Sequence, residues 1–322
     1  MNTGLPLQIT RPDVGDSFAA EILAGLSKRP RAIPAKFLYD ARGSALFDAI
    51  CELPEYYLTR TEIAMLRRCA PEIAALTGPG RLLVEFGSGS SVKTRLLLDA
   101  LAEVSGYMPI DISGEHLEAS CRRLRGDYPS LAILPVCADY MDLAGLPWLP
   151  GASAAPRLGF FPGSTIGNLE PGDALAFLRN ARQLLGADGA LVLGADLKKD
   201  PDMLHAAYND SAGVTAAFSL NLLQRMNREL GANFDIDAFE HEAFYNPEAG
   251  RIEIYIRSLR AQSVLVAGRR FFFDAGDRIH TEYSYKYDLD DIDALVTPAG
   301  FARARTWIDA DQLFSVHYLV AT

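Results

Sequence analysis

The sequence predicts an α/β protein built on a doubly wound, mostly parallel sheet, with a second domain of α+β type. Between Thr61 and Asp196, short apolar strands alternate with amphipathic helices, which is the pattern of a parallel sheet covered on both faces. After Asp196 this alternation stops. A long helical stretch from Asp202 to about Leu230 is then followed by segments with a period of two residues, which predict an antiparallel sheet.

The individual elements follow from the same patterns. Residues up to about 60 carry helical signals and no strand pattern. The strands predicted in the alternating region are "RLLVEF", "YMPIDI", "LAILPVCAD", "RLGFFPG" and "ALVLGAD". The period-two segments are "RIEIYIRSL", "QSVLVAG", "RRFFF" and "HTEYSYKY". The last part predicts a helix in "DLDDIDALVTPAG" and a hairpin of "ARARTWI" with "FSVHYLVAT" that completes the first sheet.

We therefore expect two domains that interleave along the chain. Residues 61–197 and 287–322 form the first domain, and residues 1–60 and 198–286 form the second. A chain of 322 residues with 49% hydrophobic residues can bury either one large core or two smaller ones.

Charge and composition narrow the class of function. The net charge of −10 disfavours nucleic acid and anionic membranes as partners, because both require a cationic surface. The first residues lack the pattern of a signal peptide, and no apolar stretch is long enough to span a bilayer. The four cysteines are scattered, so we expect neither a metal site nor disulfides. These features predict a cytoplasmic protein that acts on a small molecule, and we expect a monomer.

The stretch "VEFGSGSSVKTR" is a candidate loop for a phosphate or nucleotide. Gly87, Lys93 and Thr94 fit the spacing of a P-loop, but Val92 occupies the position of its second glycine. A dinucleotide fingerprint meets the same obstacle, because Gly87 and Gly89 are again followed by Val92 instead of a third glycine. A branched side chain resists the positive φ that glycine permits, so both interpretations are disfavoured.

The third interpretation is the cofactor loop of an S-adenosylmethionine-dependent enzyme. Glu85 ends the strand before the turn, Asp111 ends the next strand, and Asp139 ends the third. A carboxylate in the position of Asp111 can accept hydrogen bonds from ribose hydroxyls. Glu85 with the turn Gly87-Ser88-Gly89 resembles the first motif of Rossmann-like S-adenosylmethionine methyltransferases, and this resemblance implies that Asp139 accepts a hydrogen bond from the adenine amino group. Each aspartate alone is better explained as a helix cap or a solvated charge. The three in register favour a cofactor site.

A resemblance to one family is more specific. The segments "FFPGSTIGNLEP", "KFLYDARGSALFDAICELPEYYLTRTE", "YNDSAGVTAAFSLNLLQRMNRELGANFDIDAFEH" and "TEYSYKY" resemble the histidine-specific S-adenosylmethionine methyltransferases of ergothioneine biosynthesis. The similarity covers nearly the whole chain. It implies a Rossmann-like methyltransferase domain, a second domain for the substrate, and threefold methylation of the α-amine of L-histidine to the betaine hercynine.

The resemblance also implies roles for individual residues. Asn168 and Tyr208 would hold the substrate carboxylate, and Tyr39, Gly163 and Thr165 would surround the α-amine. Tyr56, Glu282 and Ser284 would contact the imidazole. The residues implied for S-adenosylmethionine are Glu85, Gly87, Ser88, Gly89, Ser90, Lys93, Asp111 and Asp139. The chain departs from the expected pattern at Ile254, where a methionine is expected and where the branched side chain would reshape the pocket wall.

Other interpretations of these residues remain open. Tyr39 and Tyr56 taken alone are explained as packed core tyrosines, and Asn168 as a turn cap. Strand alternation in "HTEYSYKY" places His280, Glu282, Ser284 and Lys286 on one face. A carboxylate beside a hydroxyl can satisfy both nitrogens of an imidazole, which favours histidine. The alternatives are an Nα-methyltransferase of another amino acid, such as tryptophan or tyrosine, and a non-catalytic protein that only binds the cofactor.

Overall fold

The computed structural model describes residues 8–9, 14–89, 91–143, 146 and 155–322. Among these residues, no helix combines the length and the apolar character needed to cross a lipid bilayer.

The described residues divide into two compact units. The first unit comprises the described part of Met1–Thr10, Leu58–Lys199 and Tyr285–Thr322. The second comprises the described part of Arg11–Tyr57 and Asp200–Ser284. The second unit is thus assembled from an early segment of the chain and a later insertion.

The helices and strands alternate as follows. The helices are α1 (Val14–Ser27), α2 (Ala41–Cys51), α3 (Tyr57–Thr77), α4 (Val92–Ala100), α5 (Gly114–Asp127), α6 (Pro171–Leu185), α7 (Pro201–Tyr208), α8 (Val214–Leu230) and α9 (Leu289–Val296). The strands are β1 (Gln8–Ile9), β2 (Arg31–Ala32), β3 (Leu82–Phe86), β4 (Gly106–Asp111), β5 (Val136–Cys137), β6 (Arg157–Phe161), β7 (Ala190–Asp196), β8 (Phe239–Asn246), β9 (Arg251–Ser258), β10 (Gln262–Val266), β11 (Arg269–Phe273), β12 (Arg278–Tyr285), β13 (Phe301–Ile308) and β14 (Phe314–Ala321).

The first unit is organised by one sheet with the strand order β1-β5-β4-β3-β6-β7-β14-β13. Strands β5, β4, β3, β6 and β7 pair in parallel, and β14 pairs antiparallel with both β7 and β13. Chain order reverses at β3, which has β4 on one side and β6 on the other. In open α/β sheets, ligands bind outside the carboxyl ends of the strands at such a reversal. The sheet therefore indicates where a cofactor would bind.

Helices cover both faces of this sheet, so its central strands are buried on both sides. All five residues of β3 are buried, as expected for a parallel strand between two helical layers. One apolar cluster joins the strands to α6 and α9, and another joins them to α3, α4 and α5. Gly159 permits close packing of β6 on α6, because a Cβ there would lie 2.8 Å from Leu185 Cδ1. The doubly wound α/β fold is confirmed.

The second unit contains a sheet with the order β2-β12-β9-β8, and the hairpin of β10 and β11. Strands β8 and β9 pair antiparallel over their full length, with Phe239 opposite Ser258. In β9, Ile252, Ile254 and Ile256 are buried, which produces the period of two seen in the sequence. The segments predicted from that period are the strands β9, β10, β11 and β12. Strand β9 pairs antiparallel with β8, and β10 with β11 in a separate two-stranded sheet, whereas β12 pairs in parallel with β2.

Other elements differ from the sequence prediction, each for a local reason. The N-terminal region contains the strands β1 and β2, which are two residues long and leave no periodic pattern. The predicted strand "LAILPVCAD" is reduced to β5, because Pro135 directly before it lacks an N–H for a strand ladder. The long helix predicted from Asp202 is divided into α7 and α8. Between them, the Asp210 carboxylate accepts the N–H groups of Val214 and Thr215 at 2.8 Å each and starts a new helix.

A buried charge cluster lies at the end of β7 in the first unit. The Asp196 carboxylate is fully buried and lies 2.9 Å from Lys286 Nζ and 2.6 Å from Lys199 Nζ. Burial lowers the pKa of Lys199 to about 8, against the opposing attraction of Asp196. One carboxylate therefore pairs with two buried ammonium groups. It links the segment after β7, which carries Lys199, to the segment after β12, which carries Lys286.

We predict that Asp196→Asn destabilises the protein by about 3–5 kcal/mol, because it deprives two buried ammonium groups of the carboxylate they share. Lys286→Met should cost less, since Asp196 then keeps Lys199 as its partner. Urea unfolding of both variants measures the difference. An Asp196→Asn protein that is no less stable than Lys286→Met would contradict the account of this cluster.

Candidate active site

The turn after β3 has the backbone of a loop that approaches a ligand closely. Gly87, Gly89 and Ser91 adopt the left-handed conformation, with φ of 73°, 46° and 61°. Helix α4 begins directly afterwards at Val92. Val92 is thus the first residue of a helix, which explains why no third glycine is needed there. Ser90, also predicted to bind the cofactor, lies outside the described residues.

This turn leaves polar groups and space suited to a nucleoside. The buried hydroxyl of Ser88 has no hydrogen-bond partner among the described residues. A Cβ added at Gly89 would meet no atom within 4 Å, so the backbone there borders open space. The Asp111 carboxylate at the end of β4 accepts the Gly89 N–H at 3.2 Å and the Ser113 N–H at 2.9 Å. These residues fit S-adenosylmethionine, because each carboxylate oxygen can accept a further hydrogen bond from a ribose hydroxyl.

The surroundings of the two aspartates at this edge affect the charge of Asp111 and the orientation of Asp139. Burial raises the pKa of Asp111, and the N–H groups of Ser113 and Gly89 oppose that shift. The Asp139 carboxylate follows β5 and accepts the Met141 N–H at 2.9 Å, which fixes its orientation. Asp111 and Asp139 therefore follow neighbouring strands at the same edge of the sheet, as predicted from the sequence.

Glu85 has a different position from the one that a cofactor contact implies. Its carboxyl group is buried, accepts the Thr94 hydroxyl at 2.7 Å and is also bonded to the Tyr107 hydroxyl. Burial raises the pKa of Glu85 to about 8, despite the hydrogen bonds from Tyr107 and Thr94. Glu85 thus lies beneath the turn and joins β3 to α4 and β4.

The turn after β6 carries the residues implied for the substrate amine and carboxylate. Gly163 and Ser164 are both left-handed, with φ of 79° and 58°. The Thr165 hydroxyl donates to the Pro162 carbonyl at 2.8 Å. Asn168 is half-buried at the end of the short 3₁₀ turn Thr165–Asn168. Within this turn Gly167 is required, because a Cβ there would lie 2.7 Å from the Tyr285 carbonyl oxygen.

In the second unit, four of the predicted residues are brought close together. The Tyr56 and Tyr208 rings meet edge to face with centroids 6.1 Å apart, and the Tyr208 hydroxyl lies 2.8 Å from the Ser284 hydroxyl. Burial raises the pKa of Tyr56 well above its usual value, and the Glu282 carboxyl group adds a smaller electrostatic contribution. Tyr56 is therefore a neutral phenol. Glu282 is 9% exposed and lies close enough to Tyr56 to contribute to this shift.

Tyr39 belongs to an aromatic group in the same unit. Its ring lies 5.6 Å from that of Phe47 and 5.3 Å from that of Phe218, both in edge-on contact. The adjacent Asp40 caps α2 by accepting the Gly43 N–H at 2.7 Å, and it also accepts the Asn221 side-chain amide at 2.7 Å. The backbone next to Tyr39 is thereby held against α8.

The strand β12 departs from the alternation expected of it. Thr281 and Glu282 are both buried although they are consecutive, and the His280 ring lies 3.9 Å from the Tyr283 ring. The prediction that His280 shares a face with Glu282 is therefore wrong, because the strand is irregular between them. Ile254 is buried on β9, where its carbonyl accepts the Thr281 hydroxyl at 3.2 Å.

Comparison with known proteins identifies the family. A family model described as "Histidine-specific methyltransferase, SAM-dependent" matches residues 18–321. The chain belongs to this family. S-adenosylmethionine is accordingly its cofactor, and the chain is a methyltransferase.

Individual relatives agree with the family model over nearly the whole chain. The histidine N-alpha-methyltransferase of Mycolicibacterium smegmatis is 40% identical over 96% of both chains. That of Mycobacterium tuberculosis is 40% identical over 90% of both chains. A solved structure of a possible exported protein from Bordetella parapertussis covers 93% of this chain and 85% of its own, with a TM-score of 0.50 and 17% identity, which shows the fold alone.

Three residues of this methyltransferase were missed by the sequence analysis. Phe47 and Phe218 pack on Tyr39, and only the density of aromatic residues in these segments could have indicated them. Glu62 was missed because it resembles any polar residue of an amphipathic helix. Its buried carboxylate lies 2.5 Å from Lys93 Nζ, so the ammonium predicted to face the cofactor is paired with protein. In the part of the chain that the structure describes, no group of His, Cys, Asp and Glu is arranged to hold a metal ion.

We predict that Asp111→Ala weakens the binding of S-adenosylmethionine by about 1.5–3 kcal/mol, because a carboxylate hydrogen-bonded to the ribose is removed. Isothermal calorimetry measures the affinity. Asp188→Ala, which alters an exposed loop residue of the same unit, is the control. An unchanged affinity of the Asp111→Ala protein would refute the assignment of Asp111 to the cofactor.

Proposed function

We propose that this methyltransferase transfers three methyl groups from S-adenosylmethionine to the α-amine of L-histidine and so produces hercynine in ergothioneine biosynthesis. The observation that carries the proposal is the grouping of Tyr56, Tyr208, Glu282 and Ser284 in the second unit. A carboxylate, a hydroxyl and the Tyr56 ring offer the hydrogen bonds and the flat surface that suit an imidazole, and Tyr208 adds a hydroxyl beside them for the substrate carboxylate. Similarity to relatives named histidine N-alpha-methyltransferase supports the same substrate.

The reaction needs positioning more than it needs a strong base. S-adenosylmethionine supplies the methyl group from its sulfonium, and the attacking amine must be neutral and aligned with the breaking bond. An α-amine has a pKa of about 8 in peptides and a somewhat higher pKa in a free amino acid, so a modest change of environment suffices to make it neutral. Hydroxyl and carbonyl groups can accept hydrogen bonds from the N–H groups that remain on the amine. We assign this role to Tyr39, Gly163 and Thr165.

The product adds a second requirement. After the third transfer the nitrogen carries a permanent positive charge and no hydrogen, so hydrogen-bond acceptors can no longer hold it. Aromatic faces attract such a cation through their quadrupole. The contacts of Tyr39 with Phe47 and Phe218 support this role for the aromatic group. A Lys or Arg at the same place would repel the product.

The remaining roles complete the proposal. We assign the substrate carboxylate to Asn168 and Tyr208, and the imidazole to Tyr56, Glu282 and Ser284. We also propose that residues 1–60 and 198–286 form the substrate domain and that residues 61–197 and 287–322 bind the cofactor. The enzyme is proposed to act as a cytoplasmic monomer on a small amino acid, without nucleic-acid or membrane partners, and the net charge of −10 supports the last part.

One observation favours a different amino acid as substrate. Ile254 is 3% exposed and is branched at Cβ, so it lacks the flexibility of the methionine expected there. A rigid wall selects by shape, and shape alone discriminates weakly between apolar side chains. Nα-methylation of tryptophan or tyrosine is therefore the second candidate.

We predict that incubation with S-adenosylmethionine and an equimolar pool of amino acids adds three methyl groups to histidine before any other member. Mass spectrometry of the pool identifies the product, and fragmentation places the methyl groups on the α-nitrogen. A pool in which tryptophan or tyrosine is methylated first would replace the proposed substrate. No methylation at all would refute the proposed activity.

We predict that Glu282→Ala lowers the rate on histidine more than tenfold and raises the rate on tryptophan, because the imidazole N–H loses its acceptor and the pocket becomes larger and more apolar. Glu282→Gln keeps one acceptor and should retain more activity on histidine. Glu240→Ala is the control, since Glu240 lies on β8 and pairs with Arg257 at the surface. Steady-state rates on histidine and on tryptophan are measured for each protein. A ratio of the two rates that does not change in Glu282→Ala would contradict the role of Glu282.

A further inference from the structure

The carboxylate of Glu62 is buried inside the first unit and faces the turn after β6. Glu62 is 1% exposed on α3, and both of its oxygens lie 2.9 Å from the backbone nitrogen of Gly163. One of them also lies 2.5 Å from Lys93 Nζ. A buried carboxylate is costly unless it is paired and hydrogen-bonded. Here the Lys93 ammonium, which follows the turn after β3, pairs with it, and the Gly163 N–H in the turn after β6 donates to it.

The fold leaves room for this carboxylate. A Cβ at Gly194 would lie 2.2 Å from Glu62 Oε1, so β7 accommodates the carboxylate only because residue 194 has no side chain. Lys93 approaches from α4, where its Nζ lies 3.3 Å from the point that a Cβ on Gly163 would occupy. Glu62 is therefore enclosed by three elements and has little freedom to move.

The turn is fixed on the other side of Gly163 as well. Ser164 accepts the Asp196 N–H through its hydroxyl at 2.9 Å. Gly163 and Ser164 are both left-handed, a conformation that non-glycine residues adopt only when their surroundings impose it. The peptide between these residues is thus held at both ends, by Glu62 on one side and by β7 on the other.

We propose that Glu62 is a positioning residue for methyl transfer: by accepting the Gly163 N–H, it orients the turn that presents Gly163 and Thr165 to the substrate amine. The link to the amine rests on the proposed function, whereas the orientation of the turn does not. A displacement of about 1 Å in such a turn is enough to lower a rate by about a hundredfold, because in-line transfer depends on alignment.

A matched pair of variants separates this role from simple neutralisation of Lys93. Glu62→Gln and Glu62→Met both remove the negative charge and have similar length, but only glutamine keeps an acceptor for the Gly163 N–H. At saturating S-adenosylmethionine and histidine, we expect Glu62→Met to have a kcat at least tenfold below that of Glu62→Gln. The affinity of the two variants for the cofactor should agree within about threefold. Equal kcat values would overturn the proposal, since the charge alone would then matter.

Hydrogen exchange tests the same role without any substrate. In peptides covering residues 162–168, the Gly163 amide should exchange at least tenfold faster in Glu62→Met than in Glu62→Gln, and equal exchange would overturn the proposal. Glu72→Met, on the exposed side of α3, is the control and should leave this amide unchanged. If the unmodified protein does not methylate histidine, the proposed function fails while this measurement still decides the role of Glu62.

A third variant covers the case in which Glu62→Met does not fold. Glu62→Asp keeps the charge but draws the carboxylate back by one methylene group, so the Gly163 N–H loses its close acceptor. We expect a kcat at least tenfold below that of the unmodified protein, with cofactor affinity changed less than threefold. An unchanged kcat would overturn the proposal.

Discussion

Three buried carboxyl groups hold together the carboxyl edge of the parallel sheet, where the turns after β3 and β6 lie. Glu85 bonds to Thr94 and Tyr107, Glu62 to Gly163 and Lys93, and Asp196 to Lys199 and Lys286. A carboxyl group is well suited to this task because it can accept several hydrogen bonds from segments that are distant in sequence. Its burial is tolerated only when those partners are present, so each carboxyl group requires the loop that it holds.

The three carboxyl groups are stabilised in the interior in different ways. Burial raises the pKa of Glu85 to about 8, so at neutral pH it is mostly protonated, and its partners are hydroxyl groups. Glu62 and Asp196 instead have ammonium partners. Because the folded pKa of Glu85 is raised, its contribution to stability is complete below its unfolded pKa and is lost as the pH rises through about 8. The turn that borders the proposed cofactor site is therefore supported by a neutral acid.

The sequence predicts well what depends on local pattern and poorly what depends on distant partners. The alternation from Thr61 to Asp196 predicts the parallel strands, since burial on both faces requires continuous apolar residues. The turn around Gly87 and Gly89 is equally visible, because positive φ favours glycine. The hydrogen bond from Gly163 to Glu62 joins residues 101 positions apart, one in a turn and one on a helix. The sequence of neither segment indicates that the other is its partner. The contact of the His280 ring with the Tyr283 ring is equally absent from the sequence pattern, because strict alternation places these side chains on opposite faces.

The hydrogen bond between Tyr208 and Ser284 links two roles that the proposed function assigns separately. Each hydroxyl has one proton, so if Tyr208 donates to Ser284, it cannot also donate to a substrate carboxylate. If Ser284 is the donor, Tyr208 keeps its proton for the carboxylate, and Ser284 can then only accept from the imidazole. Glu282 is also an acceptor when ionised. A neutral imidazole donates from one nitrogen and accepts at the other, so under the proposed function it needs one acceptor, Glu282, and one donor, which is Ser284 only when Tyr208 donates to Ser284. The direction of this single hydrogen bond therefore couples the recognition of the substrate carboxylate to the recognition of the imidazole.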